Sequence, residues 1–123
     1  MVEAFQKEVP FNSDLHLKYL NQLDKSEDPD AIGNFMNEHL KLPGAYWCIG
    51  SLKLIKKLDD SRKEEITEFV SKCQHTCGGF GGNLGHDPHI TSTLYAILIM
   101  AMYDSIDKGA IKTDAAANYI AKL

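Results

Sequence analysis

Long uncharged runs are scarce in this chain of 123 residues, and the longest, from Ile90 to Tyr103, is clearly shorter than the ~20 residues a helix needs to cross a bilayer. That run reads as a buried helix, and no membrane insertion is expected. Positive charge is not in excess either. The 13 Lys and Arg against 17 Asp and Glu leave a net charge of -4, which gives no footprint for phosphate backbones and sets nucleic-acid binding aside. Cysteine is limited to Cys48, Cys73 and Cys77, an odd number, and no Asn-x-Ser/Thr sequon occurs. Free thiols in a reducing, cytoplasmic location are the simplest account. The stretch from Met1 to Pro10 carries Glu3, Lys7 and Glu8 and lacks the apolar run and cleavage site of a secretory signal. A P-loop, a nucleophile elbow, a zinc-protease helix motif and an EF-hand loop are all missing.

What is present is ordinary globular material, with 44% hydrophobic and 24% charged residues. The length suits one domain or a piece of a larger repeat architecture. Capped amphipathic segments with no alternating strand pattern predict an all-α chain. A first helix opens at Asn12 or Ser13 and places Leu15, Tyr19, Leu20 and Leu23 near helical spacing. Asp28-Pro29 reads as a second helix start, followed by Ile32, Phe35, Met36 and Leu40. Pro43-Gly44 punctuates the chain, and a third helix follows with Trp47, Ser51, Leu54, Ile55 and Leu58 along one face. Ser61 and Glu64 form a capping-box pattern ahead of a stripe of Ile66, Phe69, Val70 and Cys73. A glycine-rich loop from Gln74 to His86 comes next, in which glycines take positive φ and Phe80 anchors the turn into the core. Asp87-Pro88 restarts a helix that is apolar nearly all round and so expected to be buried on several sides, and a last helix begins near Thr113.

The two helix pairs overlie each other. Trp47–Asp59 aligns without a gap on Tyr95–Asp107, an offset of 48, and after a two-residue insertion Phe69–Lys72 overlies Tyr119–Lys122. Helical hairpins at that period predict a solenoid or a closed α/α toroid, since a hairpin with one helix apolar all round needs neighbours to cover it.

Cys73, His75, Cys77, His86 and His89 crowd together and are residue types that tetrahedral zinc prefers, yet their spacing is too short for a finger and no suitable scaffold flanks them. The alternative has Cys73 as a buried small hydrophobe, His75 on the surface, and His89 donating to a loop carbonyl. Gly78-Gly79-Phe80-Gly81-Gly82 follows no strand and lacks the Gly-Lys-Ser/Thr of a phosphate cradle. Ala121-Lys122-Leu123 is near a peroxisomal address, but Tyr119 and Ile120 make the end look like mid-helix.

The stretch Phe69-Val-Ser-Lys-Cys-Gln-His-Thr-Cys-Gly-Gly-Phe-Gly-Gly-Asn-Leu-Gly-His-Asp-Pro-His89 resembles the repeat of protein prenyltransferase β subunits. Gly85-His86-Asp87-Pro88-His89 with Thr93-Leu94 and Tyr103-Asp104-Ser105-Ile106 is similar to the Rab-modifying type II enzymes within that family. Met36–Gly44 with Tyr46-Trp47 resembles the family's approach to its first hairpin. The resemblance covers about residues 31–123, behind an N-terminal segment, 1–30, with one weakly patterned helix. It implies an all-α, α/α toroid of helical hairpins, incomplete in this chain and truncated at its C-terminal end. It implies transfer of geranylgeranyl from geranylgeranyl diphosphate to C-terminal cysteines of Rab GTPases, with a prenyltransferase α subunit and a Rab escort protein as partners. Zn is the implied cofactor, with ligands in later repeats, so no metal or catalytic role falls on Cys73, Cys77, His86 or His89. The isolated chain is expected to be inactive. Lipid contact is transferred to Pro43, Trp47 and Leu94; Pro43 stands where the type II family usually has a small residue, and Trp47 reads equally as plain core. The competing readings are a non-catalytic short helical-repeat interaction protein and a small zinc module.

Overall fold

The computed structural model describes residues 10–23 and 37–123. Within them lie α1 (Ser13–Leu23), a 3-10 turn (Glu38–Leu40), α2 (Lys41–Leu54), α3 (Lys63–Lys72), α4 (Ile90–Met102), a second 3-10 turn (Ile106–Lys108) and α5 (Thr113–Ala121). The only pairing of extended backbone among the described residues is two isolated antiparallel bridges, Gln74 with Phe80 and Gly81 with Pro88. The expected helix after Asp28-Pro29, through Ile32, Phe35 and Met36, lies outside the described residues, and Leu40 belongs to the first 3-10 turn.

Helices α2 and α4 form the centre and run in the same direction. Tyr46 stacks on Tyr95 with ring centroids 4.6 Å apart, and two turns further on Lys53 Nζ donates to the carbonyl of Met102 at 3.0 Å. The contacts thus follow the same order along both helices. Helix α3 returns on the outside, because Lys41 at the start of α2 lies 5.7 Å from the ring of Phe69 near the end of α3. The core between them holds Leu42, Ile49, Val70, Cys73, Phe80, Ala96, Ile99 and Met100. Parallel inner helices joined by outer return helices are the geometry of an α/α toroid wall.

The offset of 48 is built into the backbone. Lys56 and Asp104, 48 positions apart, are the described non-glycine residues with left-handed φ, at 57° and 50°. Each ends an inner helix in the same way. The Lys57 amide reaches the Leu52 carbonyl at 2.9 Å and the Lys56 amide reaches Lys53 at 3.1 Å; Ser105 reaches Met100 at 2.8 Å and Asp104 reaches Ala101 at 3.0 Å. These are paired Schellman caps, in which one left-handed residue lets two amides satisfy the last free carbonyls.

Several local expectations shift. Pro43-Gly44 does not break the chain but sits in the first turn of α2, where a missing amide costs nothing. The neighbouring Leu42 amide, free of any intrahelical partner, donates instead to the carbonyl of Gly82 at 2.8 Å. The buried face of α2 is Leu42, Ala45, Tyr46 and Ile49, because the core lies on the α4 side; Ser51 and Leu54 are exposed, and Trp47 is half-exposed at its edge. The Ser61–Glu64 box does not form. Asp59 accepts from the Ser61 amide and hydroxyl, holding its carboxyl below the usual range, and α3 starts two residues later than Ser61. Asp87 is not a cap either, since Pro88 pairs with Gly81 and keeps the chain extended; His89 caps α4, its Nδ1 accepting from the Thr91 amide at 3.2 Å. His75 is half-buried rather than on the surface, its ring held against the His86 carbonyl.

The stripe Ile66, Phe69, Val70, Cys73 packs inward as expected, and Phe80 is fully buried. Its amide donates to Thr93 Oγ1 at 3.0 Å, and the Thr93 hydroxyl passes a bond on to the His89 carbonyl at 2.9 Å, so the glycine loop is sewn to α4. Gln74 joins the two hairpins: its side chain donates to the carbonyls of Gly78 and Lys112 and accepts from the Lys112 amide at 2.8 Å. Helix α4 is buried through Ala96, Ile99 and Met100, but Ile90 and Leu94 leave one flank open.

Candidate functional site

A cleft of about 580 Å³ opens where the first turns of α2 and α4 meet the glycine loop. Its two walls are the same three positions of the two repeats. His39, Pro43 and Trp47 line one side, and Asp87, Thr91 and Tyr95, each 48 residues on, line the other. Pro43 and Trp47 are four apart on α2, and Thr91 and Tyr95 four apart on α4, so each pair lies on one side of its helix, with His39 and Asp87 just ahead in the 3-10 turn and the loop. Corresponding positions face each other because α2 and α4 are parallel. The walls are polar at His39 and Asp87 and aromatic at Trp47 and Tyr95, whose rings meet edge to face with centroids 6.3 Å apart. Leu40, Gly82, Gly85, His86, His89 and Ser92 complete the rim.

Glycine is required here by close approach. A Cβ on Gly82 would stand 2.2 Å from the His39 carbonyl oxygen, and one on Gly81 would stand 2.2 Å from that of His86. The Gly82 contact presses the loop against the 3-10 turn that leads into α2, and the Gly81 contact folds the loop on itself. The loop also gains two left-handed turns, at Gly78 and Gly85.

Of the three residues transferred from the family resemblance, Pro43 and Trp47 line the cleft, while Leu94 is half-exposed on the adjacent flank of α4 and is not part of the wall. Tyr95 lines it instead. The repeat alignment carried the signal, since Tyr95 is the counterpart of Trp47, as Thr91 is of Pro43. Tyr95 is held by stacking on Tyr46.

The Cys/His cluster does not converge. Cys73 is buried, and burial pushes its thiol up to about 11, with Lys41 acting weakly in the opposite sense; Cys77 is exposed. The His75 ring is held against the His86 carbonyl, and the His89 ring caps α4. Among the described residues no three His, Cys, Asp or Glu side chains come together as a metal site. The small zinc module therefore has no donor set, and the described residues do not fit the zinc that the family resemblance implies.

Parallel inner helices, an outer return helix and a repeat-built cleft define a toroid wall. The prenyltransferase alpha-alpha toroid domain model matches residues 11–123, and the chain belongs to that family. The chain is similar to the probable geranylgeranyl transferase type-2 subunit beta of Dictyostelium discoideum, 39% identical over 75% of this chain and 26% of that protein. It is 39% identical to geranylgeranyl transferase type-2 subunit beta 1 of Arabidopsis thaliana over 76% of this chain and 28% of that protein. For geranylgeranyl transferase type-2 subunit beta of Schizosaccharomyces pombe the identity is 40%, over 76% of this chain and 29% of that protein. The chain thus spans about a quarter of the length of these relatives. No described helix is long and apolar enough to cross a membrane.

Proposed function

We propose that this chain is the N-terminal portion of a Rab geranylgeranyltransferase β subunit, which transfers geranylgeranyl from geranylgeranyl diphosphate to C-terminal cysteines of Rab GTPases. The observation that carries the reading is the cleft between parallel inner helices, with an apolar aromatic pair at one level and a compact Pro43 beside it. A prenyl chain is a linear hydrocarbon with no hydrogen-bonding groups. Its binding rests on apolar area removed from water, at about 25 cal/mol per Å², which the half-exposed Trp47 and the half-buried Tyr95 can supply. The type-2 relatives point to the geranylgeranyl chain. In this reading Pro43 and Trp47 contact the lipid from the cleft, and Leu94 does so from the neighbouring flank of α4. An α subunit, a Rab GTPase with its escort protein, and a cytoplasmic setting belong to the same reading. Zinc belongs to the same reading as a cofactor, and the residues of this chain bind and orient the lipid rather than the metal.

A chimera tests it. Residues 11–123 replace the matching segment of the Schizosaccharomyces pombe type-2 β subunit, and the product is co-expressed with its α subunit. Transfer of geranylgeranyl to a Rab protein in the presence of escort protein is expected, with W47A raising KM for the diphosphate. A chimera that assembles with the α subunit yet binds no prenyl diphosphate would sink the proposal.

A further inference from the structure

We propose that Tyr95 is a specificity-determining residue that closes the apolar level of the cleft and selects prenyl chains by length. The inference rests on the reading of the cleft as a prenyl site. Tyr95 is the position-for-position counterpart of Trp47 in the second repeat, and both line the cleft. The two are not equally fixed. Trp47 is 51% exposed, whereas Tyr95 is half-buried, packed against the core and stacked on Tyr46 with an interplanar angle of 15°. The Tyr46–Tyr95 pair therefore forms a rigid strut between α2 and α4. Trp47 rests its edge against that strut at an interplanar angle of 69°. How far a hydrocarbon can advance between the helices is set by the strut, since a ring anchored in the core cannot swing aside as a half-exposed indole can.

A smaller side chain at 95 removes the floor, and a larger one raises it. Size discrimination in an apolar pocket follows the fit of the last few carbons, at about tenfold or more per misfitted methylene. The test uses the chimeric holoenzyme described above with farnesyl and geranylgeranyl diphosphates as probes, and reads kcat/KM for each. Y95L is expected to move the ratio towards the longer chain by about tenfold, and Y95W to move it towards the shorter chain by a similar factor. Both changes should reside in KM with kcat retained. Y95F keeps the stacked ring and should match the parent. A structural role alone would lower both substrates together and would not reverse between Y95L and Y95W. Wild-type chimera that assembles but binds neither diphosphate overturns the prenyl reading. Binding of both diphosphates with an unchanged ratio in Y95L and Y95W overturns the role of Tyr95 alone.

Discussion

Replacing Lys56 by glycine should stabilise the chain, and the same change at Asp104 should do so by less. Both residues hold the left-handed position of a Schellman cap. An L-residue in that conformation costs roughly 1–2 kcal/mol, because its Cβ crowds the following carbonyl. Glycine removes that crowding but loses more freedom on folding, at about 0.5–1 kcal/mol. The net gain for K56G is therefore about 0.5–1 kcal/mol, or ~2–5 °C in a thermal midpoint for a domain near this size. Aspartate tolerates the left-handed region better than lysine, so D104G should gain roughly half as much. Lys57, the next residue and not left-handed, supplies the control, and K57G should be neutral or destabilising. Thermal and urea unfolding followed by far-ultraviolet circular dichroism at low protein concentration gives all three values. A fall in midpoint for K56G, or equal gains at positions 56 and 57, would refute the cap assignment and with it the structural basis of the repeat.

Three further outcomes are expected. Gly78→Ala should cost ~2 kcal/mol or more by unfolding, because φ is 96° and a Cβ would meet the Ala115 carbonyl oxygen at 2.0 Å, while Gly85→Ala, strained at φ 73° but open in space, should cost less. Cys73 should resist a thiol reagent in the native state while the exposed Cys77 reacts. Its pKa is raised from 9.0 to about 11 by burial, so its contribution to stability is complete below about pH 9 and is lost as pH rises towards 11, which base titration of the C73A variant against the parent would show by removing that slope. The chain alone should bind a hydrophobic dye, through Trp47, Leu54, Leu84, Ile90 and Leu94, and should transfer no geranylgeranyl to a Rab protein even with zinc added; turnover by purified chain would overturn the second point.

The fold was legible where spacing left a single choice of buried stripe. The Ile66–Cys73 stripe, the placement of α1 and α5, and the buried Phe80 all follow from periodicity and glycine content. Caps were read less well, since their chemistry depends on where the chain comes from rather than on residue type. Ser61 and Asp87 both have the side chains of helix caps, but one is drawn to Asp59 and the other is displaced by the Gly81–Pro88 bridge. The face of α2 was misread because Trp47, Ser51 and Leu54 have helical spacing as good as that of Leu42, Tyr46 and Ile49. Only the position of α4 decides between the two stripes.

Leu94 and Tyr95 are neighbours on α4 that differ in their relation to the cleft. One residue along a helix is a rotation of about 100°, enough to carry a side chain from the wall of a cleft to its flank. Family resemblance pointed to Leu94, and the structure puts Tyr95 in the wall. The repeat led to the lining of the cleft, because parallel inner helices turn an offset in sequence into a level in space. Position 47 at offset 48 is position 95, position 43 gives 91, and position 39 gives 87, and all six line one cleft. In such an architecture a binding surface is written as corresponding positions in successive repeats. Each repeat contributes a side chain at each level, and specificity is set by how firmly each of those side chains is held. At the aromatic level of this cleft, the ring stacked into the core is that of Tyr95, and the indole of Trp47 leans on it.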